Sequence, residues 1–277
     1  MNISEWLGRA QALLADAGCP DPEIDARWMA EDTLHMSRTD LKFESDRAIA
    51  PDQLAQLEEM LKRRASGEPV QYILGSADFM GLKFQVDRSV LIPRQDTETL
   101  VESALIALRA YAAPAVLDLC AGSGCIGLSI KSLAADADVT LADVSREALE
   151  VARKNMRALG VAAMLRHGDL FRAVGRDRFD LIVSNPPYIP RGELAGLQRE
   201  VRFEPALALD GGPDGLDFYR RIAEEAPEHL NPGGAVYLEV GAGEADAVQN
   251  MLAARFADSG RIRDLNDIDR VVWARMK

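Results

Sequence analysis

The chain has 277 residues, of which 48% are hydrophobic and 27% charged. That excludes a wholly disordered chain and leaves room for one large core or two domains. A formal charge of −12, from 32 basic and 44 acidic residues, disfavours a partner held mainly through phosphates and favours a small molecule or a protein.

The first elements are helical. Ile3, Leu7, Ala10 and Leu14 recur at helical spacing, with Trp6 and Leu13 widening the stripe. Gly18-Cys19-Pro20-Asp21-Pro22 breaks the chain, and a second helix places Ala26, Met29, Ala30 and Thr33 on one face. Pro51 suits the first position of a third helix carrying Leu54, Leu57 and Leu61, with Gly67 as its stop. Residues 1–75 are therefore expected to form a small helical bundle. The period then changes. Phe79, Leu82, Phe84, Val86, Val90 and Ile92 alternate around Gly81, which predicts a β-hairpin linker over residues 76–95.

From residue 96 to 277 helix and strand alternate. A helix is predicted over Thr97–Arg109, then strands at Val116–Leu119 and Val139–Ala142, a helix through Leu149–Leu159, and strands at Met164–His167 and Leu181–Ser184. A helix near Phe218–Glu225, a strand Ala235–Glu239, a helix around Ala245–Phe256 and strands Arg261–Leu265 and Arg270–Ala274 complete the pattern. This alternation means an α/β fold with a doubly wound, mostly parallel sheet. The last two strands are too close in sequence for a parallel crossover, so they are expected to be antiparallel.

No stretch reaches the apolar length of a membrane span, and the first residues carry no basic-then-apolar signal, so the expected location is cytoplasmic. Three cysteines (Cys19, Cys120, Cys125) are too few and too odd for a disulfide framework, and the scattered His35, His167 and His229 offer no metal-ligand spacing. No metal is expected.

Three features carry chemistry. Asp118-Leu-Cys-Ala-Gly-Ser-Gly-Cys-Ile-Gly127 leaves a strand and enters a helix, and Gly122, Gly124 and Gly127 fit G-x-G-x-x-G. Asp143, at the end of the next strand, is placed to accept both hydroxyls of a ribose. NAD enzymes and S-adenosylmethionine enzymes share this pair of features. Asp118 leans toward the second, since a carboxylate suits the amino group of a methionine moiety and repels a pyrophosphate. Asp169, after the third strand, is a candidate for the adenine amino group, or simply part of a solvated turn.

Asn185-Pro-Pro-Tyr188 is the third feature. It stands at the carboxyl end of the fourth strand, where open α/β sheets place ligands. A planar NH2 group donates two hydrogens; the Asn185 side-chain oxygen accepts one and the Pro186 carbonyl the other. Pro186 and Pro187 lock φ, and Tyr188 offers a face for a planar group to stack on. The motif suits methyl transfer to an amide or an aromatic amine. A rigid turn ending a strand is the bland reading, and it weakens beside the glycine loop.

Asn-Pro-Pro-Tyr with such a loop is shared by adenine-N6 methyltransferases of nucleic acids and protein glutamine-N5 methyltransferases. Nearly the whole chain resembles the second group, in particular the enzymes that methylate peptide-chain release factors. The resemblance runs through Gly67-Glu-Pro-Val-Gln-Tyr-Ile-Leu-Gly75, Leu91-Ile-Pro-Arg-Gln-Asp-Thr-Glu98, Val201-Arg-Phe-Glu-Pro205 and Asp210-Gly-Gly-Pro-Asp-Gly-Leu216. It implies that Asp118, Cys120, Ala121, Gly122, Ser123, Gly124, Asp143, Asp169, Leu170 and Asn185 serve S-adenosylmethionine, with Leu170 near adenine. It implies that Asn185, Pro186, Pro187 and Tyr188 hold the substrate amide. The substrate it implies is the glutamine of a release factor's Gly-Gly-Gln loop, with the N-terminal domain helping to dock the protein. Cys120 and Ala121 stand where Gly-Thr is usual, Gln95 where proline is usual. Still open from the residues are a ribosomal-protein glutamine, an adenine in nucleic acid, an NAD-dependent oxidoreductase and a non-catalytic binding module.

Overall fold

The computed structural model describes residues Met1–Lys277. They divide into two compact units, Met1–Gly75 with Gln198–Phe203, and Ser76–Leu197 with Glu204–Lys277.

The first unit is helical. Helix α1 (Ile3–Asp16) starts at a capping box, in which Asn2 Oδ1 accepts the Glu5 amide at 2.8 Å and the Asn2 amide donates to Glu5 Oε2 at 2.9 Å. It buries Ile3, Trp6, Ala10 and Leu14. α2 (Pro22–Leu34) and α4 (Pro51–Ala65) each begin with proline, whose missing N–H costs nothing there. Met29, Leu57 and Leu61 close the core around Trp6. Two short helices are not evident from periodicity, because five or six residues hold less than two turns: α3 (Arg38–Phe43), capped by Ser37, and α5 (Val70–Leu74). Arg64 is buried in this unit, 2.6 Å from Asp25 and 3.0 Å from Glu200.

The second unit opens with an antiparallel hairpin, β1 (Ser76–Phe79) and β2 (Leu82–Gln85). Its two-residue turn puts both Met80 and Gly81 at positive φ, as a type I′ connection requires. Phe79 and Phe84 are buried edge to face. A 3-10 turn, Gln95–Thr97, leads into α6 (Glu98–Leu108), so the helix starts one residue later than its pattern predicts.

The rest of the unit follows as β3 (Ala115–Leu119), α7 (Cys125–Leu133), β4 (Asp138–Asp143), α8 (Arg146–Leu159), β5 (Met164–His167) and β6 (Phe179–Ser184). After them come α9 (Asp217–Glu225), β7 (Leu230–Glu239), α10 (Ala245–Ala253), β8 (Asp258–Arg263) and β9 (Asp269–Arg275). The strands form one seven-stranded sheet in the order β5-β4-β3-β6-β7-β9-β8. The first five are parallel, and β9 runs antiparallel to both its neighbours. Leu117, Val116, Leu181 and Ile182 are fully buried, because helices cover both faces. β8 ends two residues before the predicted limit. Asp264 accepts the amides of Asn266 and Ile268 and so starts the turn there. β7 begins five residues early, at Leu230, and absorbs Asn231-Pro-Gly-Gly234 through an irregular register against β6.

From β3 the chain winds outward through β4 to β5, then returns beside β3 with β6 and winds the other way. The reversal lies between β3 and β6. Their carboxyl ends carry the glycine loop and Asn185, which fixes where a ligand site belongs. No helix is long and apolar enough to cross a membrane.

Candidate functional site

The glycine loop is held open by its own backbone. Cys120, Gly122 and Gly124 all have positive φ, at 57°, 54° and 78°. Two are glycines and take this region without a Cβ penalty; Cys120 does so against its preference, a strain common where backbone faces a ligand. The Ala121 amide donates to the Ala142 carbonyl at 3.1 Å, tying the loop to β4. Gly127 is needed for a different reason. It lies in α7, and a Cβ there would sit 3.0 Å from Asp118 Oδ2 and closer still to Leu141 Cδ2. Its absence lets the helix descend onto the sheet.

Asp118 takes part in that close approach. It is wholly buried, accepts the Gly127 amide at 2.8 Å through Oδ2, and has no partner on Oδ1. Burial pushes its carboxyl up to about 8, against the pull of the Gly127 amide. It stands behind the loop and not in the cavity wall, so the structure gives it a hold on the loop's shape.

Asp143 is the last residue of β4. Its Oδ2 accepts the Gly122 amide and its Oδ1 the Ser145 amide, both at 2.8 Å. Burial raises its pKa while these amides oppose the rise. Each oxygen keeps a free lone pair, so the carboxylate can still accept from two vicinal hydroxyls. Past β5, the Gly168 amide donates to the Asp143 carbonyl at 3.0 Å. Asp169 pairs with Arg221 at 2.8 Å, and buried Leu170 has φ 48°.

Asn155, fully buried in α8, braces this side. Its Nδ2 donates to the carbonyls of Ser123 (2.9 Å) and Gln85 (3.0 Å), and its Oδ1 accepts the Gln85 amide at 2.6 Å. One amide thus joins the hairpin to the glycine loop.

β6 delivers Asn185. Ser184 Oγ donates to the Leu119 carbonyl at 2.7 Å, locking the two strand ends together. Asn185 Nδ2 donates to Thr97 Oγ1 at 3.3 Å. Pro186 and Pro187 are buried. Tyr188 packs against glycine backbone: a Cβ on Gly211 would come 2.7 Å from its Cα, and one on Gly241 3.1 Å from its ring. Burial pushes its hydroxyl up to about 12.

These elements surround a cavity of ≈ 300 Å³. The structure brings Cys120, Ala121, Gly122, Ser123, Asp143, Asp169, Leu170, Asn185 and Pro187 into its wall. Asp118, Gly124, Pro186 and Tyr188 stand outside the wall itself. Sequence reasoning missed the opposite side. Val90, Leu91, Pro93 and Arg94 line it, with Pro205, Leu207 and Ala208 facing them. Glu204 ties the two loops, pairing with Arg94 and accepting the Ile92 amide at 3.1 Å. A carboxylate placed just before Pro205 and an arginine just after Pro93 were the available signal, but neither belongs to a periodic element. Also missed was Glu239 at the end of β7, buried beside Thr97 and Asn185. Its strand reads as core, and nothing in the sequence marks the position.

A largely apolar cleft with a carboxylate at one rim, open glycine backbone along its floor and a carboxamide at the other rim fits an adenosyl ligand beside a planar amide.

Two family models match the chain: "PrmC N-terminal domain" over residues 5–75 and "Methyltransferase small domain" over residues 97–198. A release factor glutamine methyltransferase of Geobacter sulfurreducens is 45% identical over 277 residues, covering 99% of this chain and 97% of its own length. The enzyme of that name from Caulobacter vibrioides is 43% identical, covering 98% and 94%. Among solved structures, a methyltransferase from Pyrococcus furiosus superposes with TM-score 0.52 at 18% identity, covering 82% of this chain and 98% of its own. The hMettl16 catalytic domain, solved with an RNA hairpin, gives 0.59 at 12% identity, covering 90% of each chain. At such identities the last two speak for the fold alone. The near-complete match in sequence to the first two decides the family: the chain belongs to the release factor glutamine methyltransferases.

Proposed function

We propose that this protein transfers a methyl group from S-adenosylmethionine to the side-chain amide nitrogen of the glutamine in the Gly-Gly-Gln loop of a peptide-chain release factor. The observation that carries the reading is Asn185 in the wall of the cavity that the glycine loop and Asp143 also line. In this reading residues 1–75 help to dock the partner, 76–95 link, and 96–277 hold the chemistry; the spans of the two family models support that division. The protein works in the cytoplasm and engages no nucleic acid directly.

When bound, S-adenosylmethionine supplies an electrophilic methyl on a sulfonium sulfur. Asp143 would take the ribose hydroxyls, and the loop Cys120–Gly124, its shape fixed by Asp118, would hold the methionine portion. Asp169 and Leu170 would hold the adenine. Asn185 Oδ1 accepts one hydrogen of the substrate amide and the Pro186 carbonyl the other, which turns the nitrogen lone pair out of its plane. Pro187 holds that carbonyl still, and Tyr188, packed against Gly211 and Gly241 next to the wall, would have its ring face to offer once the substrate amide enters beyond Pro187. These acceptors would hold the substrate nitrogen until it has gained the methyl and shed its extra proton, so no strong base would be required among the chain's own residues. Placement of the two reacting groups in line is worth about 7–11 kcal/mol in favourable cases.

The test is the intact mass of a purified release factor after incubation with this protein and S-adenosylmethionine. One added methyl, absent when the loop glutamine is replaced, is expected. An unchanged mass with cofactor still bound would overturn the substrate.

A further inference from the structure

Asn185 can serve as an acceptor only if its oxygen, not its nitrogen, faces the cavity. A carboxamide is nearly symmetric in shape, so something must set its flip. The structure contains a candidate. Asn185 Nδ2 donates to Thr97 Oγ1 at 3.3 Å. Thr97 is 2% exposed, and its hydroxyl and the Asn185 carboxamide both stand beside the Glu239 carboxylate, close enough to favour its charged form. Glu239 is 1% exposed, and its Oε2 has no hydrogen-bond partner. A buried carboxylate of this kind is costly unless it does something.

Its other neighbours leave it free for this task. Arg270, on β9, is engaged by Asp96 at 3.0 Å and Asp264 at 3.1 Å. Asp96 also faces Glu239 from the turn before α6, Tyr188 from the chain after β6 and Cys125 from α7. The Tyr219 hydroxyl, on α9, donates to the Glu239 backbone carbonyl and not to its side chain.

We propose that Glu239 is a positioning residue, which through the Thr97 hydroxyl fixes the Asn185 carboxamide with Oδ1 toward the cavity. An ionised carboxylate can only accept. Thr97 must then donate its one proton to Glu239, and its oxygen must accept from Asn185 Nδ2. Oδ1 is the end left over. A protonated Glu239 donates to Thr97 instead. The Thr97 proton is freed to bond Asn185 Oδ1, and the carboxamide can turn its nitrogen to the cavity, where it repels a substrate N–H. Burial holds the Glu239 pKa up at about 7, with Thr97, Arg270 and Asn185 opposing, so the device switches within the working range.

The test has two arms. In the first, which needs no substrate, the side-chain amide signals of Asn185 are followed by 15N NMR against pH, assigned by their loss in Asn185→Ala. A shift with a midpoint near 7 is expected in the unaltered protein and none in Glu239→Gln. Signals that ignore pH in the unaltered protein overturn the proposal. The second arm rests on the reading of Asn185 as the substrate's acceptor. Glu239→Gln and Thr97→Val should each lower kcat about tenfold or more, with the KM for S-adenosylmethionine moving far less. Thr97→Ser, which keeps the hydroxyl, should recover most of what Thr97→Val loses. The double variant should lose little beyond either single one. Wild-type kcat in Glu239→Gln overturns the proposal. If Glu239→Gln does not fold, Thr97→Val carries both arms, and unchanged Asn185 signals in it overturn the proposal equally. An unmethylated release factor with the expected NMR titration would reject the substrate and leave the positioning role standing.

Discussion

A carboxamide that donates from its nitrogen to Thr97 turns its oxygen the other way, where it can accept from a substrate. Asn185→Ala removes that acceptor from a half-buried position, so the fold should survive and the chemistry should not. We expect methyl transfer to fall at least a hundredfold, about 3 kcal/mol in the barrier, with the unfolding temperature nearly unchanged. Single-turnover rates beside a thermal melt check this, and near-wild-type turnover would reject the mechanism. Glu239 gives the opposite combination. Its pKa is about 7 in the fold against an ordinary 4.5, so the folded state binds the proton more tightly. Its contribution to stability is therefore full below pH 4.5 and is lost as pH rises through 7. Glu239→Gln cannot ionise and escapes that loss. At pH 8 it should be at least as stable as the unaltered protein, by up to about 3 kcal/mol, while being slower. Denaturant unfolding at pH 5 and pH 8 separates the two: the advantage of the variant should be small at pH 5 and near its full size at pH 8.

Among the elements, the strand-to-helix turns do most to build the site. Gly127 shows how tight the fit of α7 on the sheet is. Gly127→Ala would press a methyl on Leu141 and Asp118 together, and the helix would have to lift. We expect a loss of about 1–3 kcal/mol in unfolding experiments, with weaker cofactor binding because the loop Cys120–Gly124 moves with the helix. Unchanged stability and affinity would show that the helix had room. In the helical unit the corresponding point is Arg64. Arg64→Ala would leave Asp25 buried without its cation, at a cost of about 3–5 kcal/mol in denaturant unfolding, whereas an exposed pair such as Arg47–Glu44 should cost little. Most of these elements could be read from sequence, because a buried parallel strand is a short apolar run and a surface helix carries a stripe. Val116–Leu119 and Leu181–Ser184 announced themselves this way. So did the floor of the site, since glycines and prolines restrict φ locally and leave a mark in the chain. The opposite wall did not. Glu204 and Arg94 meet across about a hundred residues, and Glu239 looks like the end of any strand; tertiary contacts between irregular segments have no period to detect.

At the scale of the whole molecule, the fold leaves the substrate open and the charge narrows it. The hMettl16 domain shares the fold and was solved with RNA. A doubly wound sheet with a cofactor cleft carries no information about which polymer lies beside it, because substrate choice resides in the surface around the cleft. Here the chain carries −12, with 44 acidic against 32 basic residues. Nucleic acid binding draws on phosphate contacts and counterion release, and a net negative surface opposes both at long range. A glutamine side-chain amide in a protein loop makes no such demand. We therefore expect labelled duplex DNA and hairpin RNA to bind no more tightly than about 100 μM at 150 mM salt, the weak end of nonspecific association. Fluorescence anisotropy at 50 and 150 mM salt measures it. Half-saturation at low micromolar concentration, weakening steeply between those two salts, would reveal a basic groove that the net charge conceals and would return adenine to the field of substrates. Flat titrations at both salts, together with a methylated release factor, would place the substrate's identity in protein–protein recognition.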